Sequence, residues 1–200
     1  MRKMSQETAI ANILNSQAVL STSEILSAGV YPRTLYRLRD EGRLIELSRG
    51  IFRSAELPPL ENSDLITIAK RAPKAIICLI SALSFHEITD EIPHEIYVAV
   101  PTGTDRPTID FPPTRTFHFS PESYEAGLER HVLDGIGVNI YSMEKTIADC
   151  FKFRNQVGLD VAIQGLRRGL SKRASRKKIV EFAGICRVQN VIRPYMEAMQ

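Results

Sequence analysis

The side chains best suited to chemistry lie between residues 33 and 53, where Arg33, Arg37, Arg39, Arg43, Arg49 and Arg53 stand against three acids, Asp40, Glu41 and Glu46. A guanidinium group is a planar fork of donors that stays charged, so it can bond guanine O6 and N7 together or bridge phosphate oxygens. Arg33 and Arg37 are four residues apart and share one helical face with Tyr36. These three are expected to meet base edges, and Thr34 is a further expected DNA contact. Arg43, Arg49 and Arg53 are expected to touch the phosphate backbone or the minor groove. The plainer alternative is that these arginines only solvate a helix that also carries Asp40 and Glu41.

Local signals say how such residues would be held. Ser21-Thr22-Ser23-Glu24 has capping-box spacing, which starts a helix near Thr22 with Ile25 and Leu26 on its apolar face. Ala28-Gly29 closes it, and Pro32 sits where a first helical turn tolerates proline. A second helix is therefore predicted from about Pro32 to Glu41, with Leu35 and Leu38 turned inward and Arg33, Tyr36, Arg37 and Asp40 outward. The apolar runs 44–47 and 51–53, split by Ser48-Arg49-Gly50, predict a hairpin with Arg49 at its tip. Ile10, Ile13 and Leu14 predict a further helix over 9–14. The order of these elements predicts a winged helix-turn-helix, whose second helix enters the major groove.

The chain has 200 residues and a net charge of +3, which permits a nucleic-acid partner without demanding one. Cys78, Cys150 and Cys186 are odd in number and far apart, with neither disulfide nor zinc spacing. No apolar run reaches signal-peptide or membrane-span length, so a cytoplasmic protein without membrane contact is expected. The expected fold class is α+β: a DNA-binding domain over 1–55, a proline-broken linker over 56–63 and a larger mixed α+β domain over 64–200 with a helical carboxyl end. Within the larger domain, strands are expected at 75–80, 96–100, 116–119 and 138–141. Helices are expected at 64–71, 81–86 and 143–154.

Between residues 167 and 178 lie Arg167, Arg168, Lys172, Arg173, Arg176, Lys177 and Lys178 without one acid. This run is either a solvated surface between two helices or a second phosphate-tracking patch.

Signs of an active site are weak. His86 to Glu95 offers several titratable groups, but no two histidines lie four apart and Pro93 breaks any helix before His94. Thr102-Gly103-Thr104-Asp105 lacks the second glycine and the lysine of a phosphate loop. His118 and His131 read as ordinary surface residues. Asp90, Glu95, Asp110 and Asp149 would have to converge for metal-dependent DNA processing, and their spacing carries no such signal. No catalytic residue, metal or cofactor is expected.

Several segments, in order, resemble the AbiEi family of antitoxins from type IV toxin-antitoxin and phage abortive-infection systems. They are 31–38 (Tyr-Pro-Arg-Thr-Leu-Tyr-Arg-Leu), 40–44, 48–52, 75–83, 96–101 and 141–149. Phe52 stands where the family usually has tyrosine, which removes a hydroxyl and keeps the packing role. The resemblance implies a cytoplasmic DNA-binding repressor of its own operon. Its second domain would counteract a nucleotidyltransferase-like toxin without a stable complex between the two. Two other readings stay open: a stand-alone, ligand-responsive winged-helix regulator, and a metal-dependent DNA-processing enzyme.

Overall fold

Ser21 begins the first described helix as its spacing predicts. In the computed structural model, which describes Gln6, Ile10 and residues 17–199, the Ser21 hydroxyl accepts from the Glu24 amide at 3.3 Å, and the Glu24 carboxylate accepts from the Ser21 amide at 2.7 Å. The chain divides into two units. One comprises Met1–Pro73, Thr108–Pro112 and His131–Val138; the other comprises Lys74–Pro107, Pro113–Arg130 and Asn139–Gln200.

The first unit runs β1 (Val19–Ser21), α1 (Thr22–Ser27), α2 (Pro32–Asp40), β2 (Leu44–Ser48), β3 (Ile51–Ser54) and α3 (Ser63–Arg71). Strand β3 lies between β1 and β2 and is antiparallel to both. Ile10, Leu20, Ile25, Val30, Leu35, Leu38, Leu44 and Phe52 form the core of this unit. The helix expected over 9–14 lies outside the described residues, apart from Ile10, which is helical and buried. Strand β1 is absent from the sequence reading. Three residues carry no periodicity, and this strand exists only because Leu20 pairs with Phe52, far along the chain.

Loss of the cap has a measurable consequence. Ser21→Ala is expected to lower stability by about 0.5–2 kcal/mol in urea denaturation. Burial pushes the Glu24 carboxyl up, but hydrogen bonds from Lys70 and Ser21 outweigh it and leave the pKa below its ordinary 4.5. A depressed pKa stabilises the fold above the unfolded value, and that contribution is lost as pH falls through the folded value. The stability advantage of wild type over Glu24→Gln is therefore expected at neutral pH and should fade as the solution is acidified below 4.5.

The second unit contains most of a five-stranded sheet in the order β6 (Thr114–Phe119), β5 (Ile96–Pro101), β4 (Ile76–Ile77), β8 (Ile136–Tyr141) and β7 (Leu128–Leu133). Strands β5 and β6 are parallel, β4 is antiparallel to β5, and β4 is parallel to β8. The helices are α4 (Leu79–Phe85), α5 (Pro121–Glu125), α6 (Met143–Lys152), α7 (Arg154–Val157), α8 (Leu159–Ser171), α9 (Arg176–Ile185) and α10 (Gln189–Ala198). Helix α6 is the hub, packed against α4, α8, α9 and α10. Ile147, Ala148 and Phe151 on α6 are fully buried, as their helical spacing predicts.

The strand expected over 75–80 is cut short. Only Ile76 and Ile77 pair; Cys78 is extended, and Leu79, at φ 48°, already begins α4. An all-apolar run cannot by itself separate a buried strand from a buried helix, and here it is both in succession. Among the described residues no helix is long and apolar enough to cross a membrane.

Candidate nucleic-acid interface

Helix α2 presents two unlike faces. Leu35 and Leu38 are buried, whereas Arg33, Tyr36 and Arg37 are exposed and Thr34 is half-buried. Tyr31, at the N-cap, is 63% exposed. The turn before α2 is held by one side chain: the Gln6 amide donates to Gly29 O at 3.0 Å and accepts from the Tyr31 amide at 2.7 Å. Pro32 then starts the helix with its φ already set.

The cations of this surface differ in how they are engaged. Arg33 and Arg49 have no ion pair among the described residues. Arg37 meets Glu41 at 2.9 Å, but both side chains are nearly half exposed, so the pair is weak and readily exchanged for another anion. Arg39 is held by Asp40 at 2.9 Å and Glu46 at 3.2 Å, and it lies 5.0 Å from the centre of the Tyr36 ring. Arg43 is exposed at the foot of the β2–β3 hairpin, and Arg49 is exposed in its turn. Gly50 closes that turn at φ 76°, a conformation that favours glycine.

Arg53 is placed otherwise than expected. It is 7% exposed, and its guanidinium donates to Leu57 O and, at 2.8 Å, to Pro58 O. Its position on β3 turns the side chain toward the segment that follows the hairpin, so Arg53 anchors that segment and does not reach out for a phosphate. Which side of a strand a residue faces depends on its pairing register, and a short strand does not display that in its sequence.

Two of the seven cations in the basic run at 167–178 pair with the acidic loop at 86–95. Arg168 pairs with Asp90, while Lys172 pairs with Glu87 at 2.7 Å and donates to His86 O at 3.1 Å. Gln164 adds a bond to Asp90 at 3.1 Å. Arg176 donates to the carbonyls of Met196 and Met199, and Lys177 lies 4.0 Å from Glu181. Arg167, Arg173 and Lys178 have no ion pair among the described residues. Arg168 and Lys172 thereby tie the end of α8 to the loop after α4.

The four acids considered for a metal have other surroundings. Asp90 is occupied by Arg168, Glu95 lies 3.7 Å from Arg115, Asp110 is exposed, and Asp149 is buried. No group of three or more His, Cys, Asp or Glu side chains among the described residues could hold a metal ion. His118, exposed on β6, lies 3.1 Å through Nε2 from Thr104 O, and His131 falls on β7.

Missed altogether by sequence reading is a charged pair in the heart of the second unit. Lys145 and Asp149, both fully buried, meet at 2.6 Å through both carboxylate oxygens. Lys145 Nζ also lies 3.3 Å from Ser123 Oγ and within 5 Å of the ring centres of Phe119 and Tyr141. The Cys186 thiol donates to Asp149 Oδ1 at 3.1 Å. Burial, reinforced by the Asp149 charge, pushes that thiol up to about 12 and keeps it protonated as a donor. Burial also raises the Asp149 carboxyl, in spite of Lys145. An i,i+4 lysine–aspartate pair ordinarily marks a solvated helix face. The one local hint against that is the company of Ile147, Ala148 and Phe151.

A mixed α+β chain with this helix-and-hairpin surface is consistent with a transcriptional regulator, and comparison with known proteins supports that class. Residues 9–55 match the model of the family described as "Transcriptional regulator, AbiEi antitoxin". The fold resembles the crystal structure of the RV2827C protein from Mycobacterium tuberculosis, with a TM-score of 0.63 at 15% identity, covering 92% of this chain and 72% of that one. A search of curated proteins gave no match.

Proposed function

We propose that the chain is a DNA-binding repressor of its own operon whose amino-terminal residues form a winged helix-turn-helix. Helix α2 is the reading helix, with Arg33, Thr34, Tyr36 and Arg37 at base edges. The β2–β3 hairpin is the wing, with Arg43 and Arg49 on the sugar-phosphate backbone. The observation that carries this reading is the outward face of α2: exposed Arg33, Tyr36 and Arg37 over a buried Leu35–Leu38 stripe, next to a hairpin whose turn exposes Arg49. The family match over residues 9–55 supports it. In the same proposal the part from residue 64 onward acts as antitoxin to a nucleotidyltransferase-like toxin encoded beside it. No stable complex, cofactor or catalytic step is required, and the protein works in the cytoplasm.

The test is binding of the purified protein to the DNA directly upstream of its gene, against unrelated competitor DNA, at two salt concentrations. Selective binding is the expected result; equal affinity for both DNAs would overturn the repressor reading. Expression of the neighbouring gene alone is expected to arrest growth, and expression of both genes to restore it.

A ligand-responsive regulator is the second reading, and one observation favours it. A cavity of about 230 Å³ in the second unit is lined by Phe119, Phe153, Ser123 and Cys186, and the last two are bonded to the buried Lys145–Asp149 pair.

A further inference from the structure

Arg39 lies in the middle of the surface just described, yet two carboxylates neutralise it, so it adds little attraction for a polyanion. Its contacts are better read as geometry. One guanidinium nitrogen donates to Glu46 Oε2 at 3.2 Å, two others donate to Asp40 Oδ1 at 3.0 and 2.9 Å, and the plane lies against the Tyr36 ring. Glu46 completes the chain with its other oxygen, which accepts from the Gly50 amide at 2.8 Å. A single carboxylate thus holds α2 on one side and the hairpin turn on the other. The far side of that turn is held by Thr22, whose amide and hydroxyl donate to Gly50 O at 2.8 and 3.2 Å.

The strands alone do not fix where this turn points. Pairing of β2 with β3 is interrupted between Glu46 and Ser48: Glu46 faces Phe52 while Ser48 faces Ile51, which leaves Leu47 as an extra residue. Such an irregularity bends a strand and increases its local twist. The turn beyond it therefore takes its direction from what grips it. Partly exposed ion pairs contribute little to global stability, so the network affects placement more than folding.

We propose that Arg39 and Glu46 are positioning residues that clasp the hairpin turn carrying Arg49 to the helix carrying Arg33 and Arg37, and so set the spacing at which the two reach one DNA duplex. This rests on the DNA-reading role proposed above. The clasp brings the backbone contact into register with base contacts, so its loss weakens binding to the operator more than binding to random DNA.

Glu46→Gln separates this from simple electrostatics by the sign of its effect. It removes a negative charge from a DNA-facing surface, and charge alone would tighten binding. The clasp predicts weaker binding to the preferred duplex, at unchanged thermal stability. A double-mutant cycle with Arg49→Ala supplies the second readout. In an otherwise wild-type chain, Arg49→Ala is expected to lower the salt slope of binding by about 0.9, the loss of one phosphate contact. In the Glu46→Gln chain the same change should do markedly less, a coupling of about twofold or more in affinity. Arg39→Met, which keeps the aliphatic stem, should reproduce the coupling. Tighter or unchanged binding by Glu46→Gln, with additive effects of Arg49→Ala, would overturn the proposal while leaving DNA reading by Arg33 and Arg37 intact. A wild-type protein without preference for any duplex would instead remove the reading on which the clasp depends.

Discussion

Asp149→Ala is expected to lower the stability of the second unit by about 3–5 kcal/mol, because it leaves the Lys145 ammonium buried without its counter-charge. Ser123 Oγ, at 3.3 Å, and two aromatic faces cannot replace a carboxylate that bonds through both oxygens at 2.6 Å. In a chain of this size each kcal/mol corresponds to roughly 2–4 °C, so the melting temperature should fall by about 6–20 °C. The double replacement Lys145→Met/Asp149→Leu removes both charges and should recover most of the loss, since a buried pair often contributes no more than packed apolar side chains of the same volume. Thermal unfolding of the two variants checks this. A melting temperature for Asp149→Ala close to wild type would show that water reaches the pair and that the site is not dry.

The second large effect concerns DNA. Arg33→Ala and Arg37→Ala are each expected to weaken operator binding by about 5- to 150-fold, the discrimination a good bidentate arginine supplies. The double variant should bind operator little better than unrelated DNA. Both side chains are exposed on a helix whose core face is Leu35 and Leu38, so folding should be unaffected and circular dichroism unchanged. Arg37 gives up an exposed bond to Glu41 on reaching a base, which costs little. A titration by fluorescence anisotropy measures the change. Wild-type affinity in the double variant would move the reading surface elsewhere.

What the sequence discloses follows the range of the interactions. The Ser21–Glu24 capping box, Pro32 at the first turn of α2 and the Leu35–Leu38 face depend on residues within four positions. The structure contains each of them. The mixed α+β class is likewise legible from alternating local patterns. Strands β1 and β7 are not: β1 is very short and is defined by β3, a partner distant in the chain, whereas β7 is polar with mostly exposed side chains and shows no apolar alternation, although its partner β8 follows directly. Arg53 shows the same limit at the level of one side chain, since its direction depends on the register of β3.

The basic run at 167–178 gives the same lesson for charge. Its composition suggests a patch, yet Asp90 and Glu87, some 80 residues earlier, take two of its cations. The Lys145–Asp149 pair is hidden for the opposite reason. Its spacing is perfectly local, and only tertiary packing tells a buried pair from a solvated one.

The central claim is that α2 reads bases, and the measurement that meets it most directly is an affinity profile over single base-pair substitutions across the preferred duplex for wild type, Arg33→Ala and Arg37→Ala. Each variant is expected to lose discrimination at one or two adjacent positions, with the penalties elsewhere preserved. Uniform weakening at every position, accompanied only by a shallower salt dependence, would mean that both arginines hold phosphates and would contradict base reading by this helix.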